Sequence, residues 1–125
     1  MRATVLVVED NEDNRALVAK VLGYAGYRVV EAASGEEALE LVARGPPDLI
    51  LMDLNLGGMN GFEATRRLKE DPATARVPVV ALTAYAMVGD RERALEAGCD
   101  GYIAKPVDVR RLPEQVETFI RGRPA

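Results

Sequence analysis

The chain has 125 residues, 48% of them apolar and 29% charged, with a net charge of −4. That length leaves room for one domain, read as spanning 1–125, with an adequate core and none for a second, and the acidic balance excludes a basic footprint for direct nucleic-acid binding. One cysteine, Cys99, excludes an internal disulfide and fits a reducing compartment. The apolar run from Val5 to Val8 is too short for a signal segment, and no window reaches transmembrane length. A cytoplasmic location with no membrane anchor is expected.

Thr4 to Val8 reads as a short buried strand that stops at Glu9-Asp10. Asn11 can cap the helix that follows, whose apolar face is Leu17, Val18, Val21, Leu22 and Ala25, and Gly23 and Gly26 mark its end. Arg28 to Ala32 is a more polar strand, expected at a sheet edge. Ser34-Gly35-Glu36-Glu37 is a capping box opening a helix with Ala38, Leu39, Leu41 and Val42 on its face, ended by Gly45-Pro46-Pro47.

Leu49 to Asp53 is four apolar residues closed by a carboxylate, the pattern of a central strand buried on both faces. Asn60 with Glu63 repeats the capping pattern for a helix reaching about Asp71, where Pro72 disfavours helical geometry. Val77 to Leu82 is another apolar strand, ending at Thr83-Ala84. A helix follows between Ala86 and Ala97, closed by Gly98. Gly101 to Ala104 is a last strand ending at Lys105-Pro106, and Asp108 precedes a terminal helix carrying Val116, Phe119 and Ile120.

Strands alternating with helices predict an α/β fold: a doubly wound, five-stranded parallel sheet covered on both faces in a (βα)5 three-layer sandwich. Right-handed crossovers with one reversal give the flavodoxin-like order 2-1-3-4-5, which suits a polar second strand at the edge. In a parallel sheet the strand ends of one kind share a rim. Glu9-Asp10, Asp53, Thr83 and Lys105 therefore converge on the carboxyl edge, where open α/β sheets bind ligands. Each has a plainer reading alone: acids at a solvated helix start, an Asp opening a turn, a capping Thr, a lysine before a turn proline. At the ends of four different strands, those readings become improbable together.

Three clustered acids repel unless a cation intervenes, and an oxygen-only set in an open site suits Mg²⁺ better than Ca²⁺. A carboxylate can attack phosphorus to give an acyl phosphate. In such a site Asp53 attacks, Glu9 and Asp10 hold the metal, and Thr83 and Lys105 bind phosphoryl oxygens.

These residues carry a resemblance. VLVVED at 5–10, DLILMDLNL at 48–56, MNGFE at 59–63, PVVALTA at 78–84 and GYIAKP at 101–106 resemble, in order and spacing, the CheY-like receiver domains of two-component response regulators. Within that family, DNEDNR at 10–15 and LTAYAMVGDRERALEAGC at 82–99 are similar to DivK-type single-domain receivers, features shared with receivers of hybrid histidine kinases. The resemblance implies that Asp53 is the phosphoacceptor and that Asp10 binds Mg²⁺ directly. Glu9 would bind it mostly through water, and the Asn55 carbonyl would be a further ligand. It further implies that Thr83 and Lys105 contact the phosphoryl group, that small Ala84 leaves the donor access, and that the Lys105–Pro106 bond is cis. Tyr102 falls where such domains carry a switch aromatic, against the plainer reading of a strand tyrosine with a wet hydroxyl. Tyr85 and Asn55 occupy positions that tune phosphoryl lifetime. The family acts as a self-assisting phosphoacceptor and not as a turnover enzyme.

Partners follow from the same resemblance. With no histidine in the chain, the phosphoryl group must come from a histidine kinase or histidine phosphotransfer protein, docking near the first helix. Output is expected through a protein target on the face of the fourth helix, fifth strand and fifth helix, with no nucleic acid bound directly and no membrane. Gly57, where many receivers have Pro, predicts a more flexible loop after Asp53, and Pro113 is tolerated best if the last helix starts near Leu112. A haloacid-dehalogenase-type phosphatase would want a carboxylate where Asn55 stands, a flavodoxin a Ser/Thr/Gly-rich loop after the first strand, and a P-loop Gly-Lys-Ser/Thr. Two alternatives stay open: a phosphate-independent interaction module on the same fold, and a receiver segment of a hybrid histidine kinase.

Overall fold

The computed structural model describes residues 3–54, 56, 59–83 and 88–122. Its elements alternate along the chain: β1 (Thr4–Val8), α1 (Glu12–Tyr24), β2 (Arg28–Ala32), α2 (Gly35–Arg44), β3 (Leu49–Asp53), α3 (Gly61–Glu70), β4 (Val79–Thr83), α4 (Val88–Ala97), β5 (Gly101–Ala104) and α5 (Leu112–Arg121). The strands form one parallel sheet in the order β2-β1-β3-β4-β5. None of the described helices is long and apolar enough to cross a membrane.

The expected caps are made. Asn11 Oδ1 accepts from the Asn14 N–H at 3.0 Å, and Asn60 Oδ1 from the Glu63 N–H at 2.9 Å. At α2, Ser34 Oγ accepts from the Glu37 N–H while Glu37 Oε1 reaches back to the Ala33 N–H. Each cap satisfies amides that a helix start leaves without an intrahelical partner.

Strand alternation divides the core between the two faces of the sheet. Val5, Val7, Leu49, Leu51, Val80, Leu82 and Ile103 meet Val18 and Leu22 of α1 and Leu112 and Val116 of α5. Leu6, Val8, Ile50, Met52, Val79 and Ala81 meet the small or branched residues of α2, α3 and α4, among them Ala38, Val42, Ala64, Leu68 and Ala94. The central strand β3 is buried along its whole length.

Two details differ from expectation, and a third, the start of α5, meets it. β4 begins at Val79 rather than Val77, because Pro78 has no N–H to donate to a ladder, though Val77 stays buried. On α1, Leu17 is half exposed and Ala25 lies outside the helix, so the buried stripe narrows to Val18 and Leu22. α5 starts at Leu112 with Pro113 in its first turn, where the missing N–H costs nothing.

At the amino-terminal edge of the sheet, Lys69 of α3 closes a polar knot. Its Nζ donates to the carbonyls of Ala75 (3.1 Å) and Val77 (2.8 Å) and to Asp100 Oδ2 (2.7 Å). Asp100 Oδ2 also accepts from the Val79 N–H, and the Asp100 N–H donates to the Val79 carbonyl.

Candidate functional site

The carboxyl edge of the sheet gathers the predicted charges. Glu9 directly follows β1, with its N–H donating to the Ala32 carbonyl of β2 at 3.0 Å, and Asp53 is the last paired residue of β3. Lys105 directly follows β5, its N–H donating to the Thr83 carbonyl at 2.8 Å. These backbone bonds extend the sheet by one residue on either side of the site.

Parity decides where each side chain goes. Asp53 pairs with Leu82, a residue of the α1/α5 core, so it points toward that face. Glu9 and Lys105 fall in the same alternation as Val7 and Ile103, which also face α1 and α5. Thr83 lies two residues beyond Ala81, and Ala81 pairs with Tyr102, both packed on the α2–α4 side. The charged trio thus occupies one side of the sheet edge, and the hydroxyl and aromatic ring the other.

Lys105 Nζ is 2.6 Å from Glu9 Oε1 and 3.3 Å from Asp53 Oδ2. Glu9, Asp53 and Thr83 are almost fully buried, at 2%, 4% and 1% exposure, whereas Asp10 is exposed. Burial, followed by the neighbouring Asp53 carboxylate, pushes the Glu9 carboxyl up to about 7, against the opposing pull of Lys105. Burial alone would lower the Lys105 ammonium, but Glu9 and Asp53 outweigh it and hold the pKa above the ordinary lysine value.

One carboxylate oxygen each from Glu9, Asp10 and Asp53 lies within 4.8 Å of the others. Oxygens around an octahedral Mg²⁺ sit about 2.9–4.2 Å apart, since each lies about 2.1 Å from the ion. The cluster is therefore near the spacing the ion needs, with its solvent side at Asp10 open for the waters that Mg²⁺ retains. An all-oxygen donor set of one exposed and two buried acids fits that metal.

Among the other sequence-predicted residues, Pro106 follows a cis Lys105–Pro106 bond and lines a cleft of about 320 Å³ with Glu9, Leu17, Val18, Lys105 and Val107. Tyr102 is half-buried against the α2–α4 core, on the side of the sheet opposite the charged trio. Asn55, Gly57, Ala84 and Tyr85 lie outside the described residues. Sequence reasoning passed over Gly61, whose position against the Asp53 backbone leaves no room for a side chain, and Arg15, whose Nη1 donates to the Glu9 carbonyl at 2.9 Å. Gly61 carried a signal in being a glycine inside a first helical turn, where most residues are better. Arg15 carried none.

Comparison with known proteins gives a consistent picture. The family model described as the response regulator receiver domain matches residues 5–117. The polar-differentiation response regulator DivK of Brucella ovis is 42% identical over 120 residues, covering 96% of this chain and 98% of the relative. Among solved structures, the receiver domain of a sensor histidine kinase from Pseudomonas aeruginosa, with a magnesium ion coordinated in its active-site cleft, is similar with a TM-score of 0.90 and 38% identity, covering 98% of this chain and 100% of that one. The chemotaxis protein CheY4 of Vibrio cholerae has a TM-score of 0.90 at 28% identity, covering 95% of this chain and 99% of that one.

Proposed function

The chain belongs to the response regulator receiver domain family of two-component signalling, and from that premise we propose that it is a cytoplasmic receiver domain phosphorylated on Asp53. The observation that carries this reading is the Lys105 ammonium set between the Glu9 and Asp53 carboxylates, inside a three-acid cluster. An Asp53 oxygen attacks the phosphorus of a phosphohistidine on a histidine kinase or phosphotransfer protein. A P–O bond forms as the P–N bond breaks, and its electron pair returns to the departing imidazole. When bound by Glu9, Asp10, Asp53 and the Asn55 carbonyl, Mg²⁺ supplies charge neutralisation at the phosphoryl oxygens. Lys105 shifts its ion pair toward the new phosphoryl group, and the Thr83 hydroxyl donates to it. Small Ala84 leaves the donor a path, and Tyr85 beside it tunes the acyl phosphate's lifetime. Such a domain assists its own phosphorylation and dephosphorylation without being a turnover enzyme.

The upstream partner would dock on the cleft beside Lys105, where half-exposed Leu17 of α1 meets Pro106 and Val107. Output is assigned to the α4–β5–α5 face. Thr83 and Tyr102 share one side of the sheet, so a Thr83 drawn toward a phosphoryl group opens space on the side where the Tyr102 ring lies. Leu95 of α4 and Val109 before α5 are exposed apolar residues there, suited to a protein target.

The test is intact-protein mass after incubation with a small acyl phosphate or phosphoramidate, with and without Mg²⁺. A single Mg²⁺-dependent phosphoryl addition, absent in Asp53→Asn, is expected. Addition that persists in Asp53→Asn moves the acceptor elsewhere. No addition under any condition replaces this reading with a phosphate-independent interaction module.

A further inference from the structure

Two cations reach the acid cluster from different directions: Lys105 from the end of β5, and Arg15 from α1. Lys105 engages carboxylates, whereas Arg15 engages the backbone. Its Nη1 donates to the Glu9 carbonyl at 2.9 Å, and its Nε donates to Glu31 Oε1 on β2 at 3.3 Å. The side chain is 18% exposed, held along the protein surface rather than free in solvent.

The Glu9 backbone is consequently fixed on both flanks. Its N–H is taken by Ala32 of β2, and its carbonyl by Arg15. That carbonyl belongs to the peptide joining Glu9 to Asp10, two of the three clustered acids. Rotation of this peptide would swing both carboxylates relative to Asp53. Immediately afterwards Asn11 caps α1, and its carbonyl accepts the Arg15 N–H at 2.9 Å, so one helical turn connects the clamp to the peptide it holds.

We propose that Arg15 is a positioning residue for the metal site: by clamping the Glu9–Asp10 peptide against β2, it presets two carboxylates for a divalent cation. The inference rests on the reading of the acid cluster as a Mg²⁺ site. The planar guanidinium can serve a carbonyl and a carboxylate at once, which a lysine ammonium on its flexible stem cannot do with the same geometry. The sign of the effect discriminates. Through charge alone a nearby cation repels Mg²⁺, so its removal would tighten binding; through the clamp, its removal weakens binding.

The experiment is Mg²⁺ titration by calorimetry of the wild type, Arg15→Gln and Arg15→Lys, with thermal unfolding of each metal-free protein in parallel. Removing partners that orient metal ligands costs about 10–100-fold in affinity, so Arg15→Gln is expected to weaken Mg²⁺ binding by at least about tenfold. Arg15→Lys, which keeps the charge, is expected to bind more weakly than wild type as well, and it carries the test alone if the Gln variant does not fold. Tyr27→Phe, altered far from the cluster, serves as a destabilised control with unchanged Mg²⁺ affinity. Equal or tighter binding in Arg15→Gln, or full wild-type affinity in Arg15→Lys, overturns the clamp. A wild type that binds no Mg²⁺ overturns instead the metal reading on which the clamp rests.

Discussion

Replacing Gly61 by alanine tests how tightly α3 is seated on the strand that carries Asp53. A methyl group at Gly61 would lie 2.3 Å from the Asp53 carbonyl oxygen, 2.7 Å from Leu54 Cα and 3.0 Å from the Asp53 carbonyl carbon. Ordinary contact begins at 3.4 Å, so relieving the closest approach takes 3.4 minus 2.3, or 1.1 Å of separation. All three obstructing atoms are backbone, and no rotamer change can clear them. Either α3 moves off the sheet or the Asp53–Leu54 peptide tilts. Overpacking of this kind costs about 1–3 kcal/mol, and the Gly61 N–H to Leu54 carbonyl bond lost with it about 1 kcal/mol more. The better helix propensity of alanine returns about 0.5–1 kcal/mol. The net expectation is a loss of about 1–3 kcal/mol, small enough to leave a domain of ordinary stability folded. Among the described residues the left-handed glycines are Gly26 and Gly98, so Gly61 is there for proximity alone and alanine meets no backbone penalty. Urea unfolding reads the stability, and the rate of Asp53 phosphorylation reads the geometry. Displacement of about 1 Å can cost up to about 100-fold in rate. A Gly61→Ala protein with wild-type stability and wild-type phosphorylation rate would refute the argument.

Three further expectations concern charge and hydrogen bonding. Lys105→Met leaves the buried Glu9 and Asp53 carboxylates without their cation and should destabilise the metal-free protein by about 1–3 kcal/mol. Added Mg²⁺ should narrow that gap, and a metal-free melting temperature equal to wild type would contradict the pairing. Because Glu9 titrates near 7 in the folded chain against an ordinary 4.5, the folded state holds this proton more tightly. Its contribution to metal-free stability is present below about 4.5 and is lost as pH rises toward 7. Mg²⁺ needs the ionised form, so thermal stabilisation by Mg²⁺ should grow over the same range. Equal stabilisation at about pH 5 and about pH 8, one setting on each side of the titration, would count against Glu9 as a ligand. Tyr27→Phe removes the 2.8 Å bond from the phenol to Glu117 Oε2, which ties the start of β2 to α5. Urea unfolding should show a small loss of stability, and no loss would mean that water fully replaces the Glu117 end of the bond.

The fold was legible because hydrophobic period and punctuation agreed at nearly every element. Asn11, Ser34 and Asn60 each cap the helix their spacing announces, and the all-apolar runs of β3 and β4 lie at the sheet centre. The charges of the site were legible for a topological reason: parallel strands send their carboxyl ends to one edge, so Glu9, Asp10, Asp53 and Lys105 meet whatever the details of packing. What sequence could not disclose were contacts made through backbone atoms. Arg15 is one arginine among many until its reach to the Glu9 carbonyl is seen, and Gly61 is one glycine until Asp53 is seen behind it. The exposure of Leu17 also depended on tertiary context, because α1 meets the sheet along a stripe narrower than its apolar positions suggest.

The Lys69 knot lies at the opposite end of β4 and β5 from the chemistry. It binds the loop after α3, the first residue of β4 and the residue before β5 through one ammonium and one carboxylate. From Val79 to Thr83 the strand rises about 13 Å at about 3.3 Å per residue. Between the knot and the charged rim, β4 is bonded to β3 on one side and to β5 on the other. Lys69 and Asp100 therefore govern how these strands are seated, at a remove of about 13 Å from the charges at their other end.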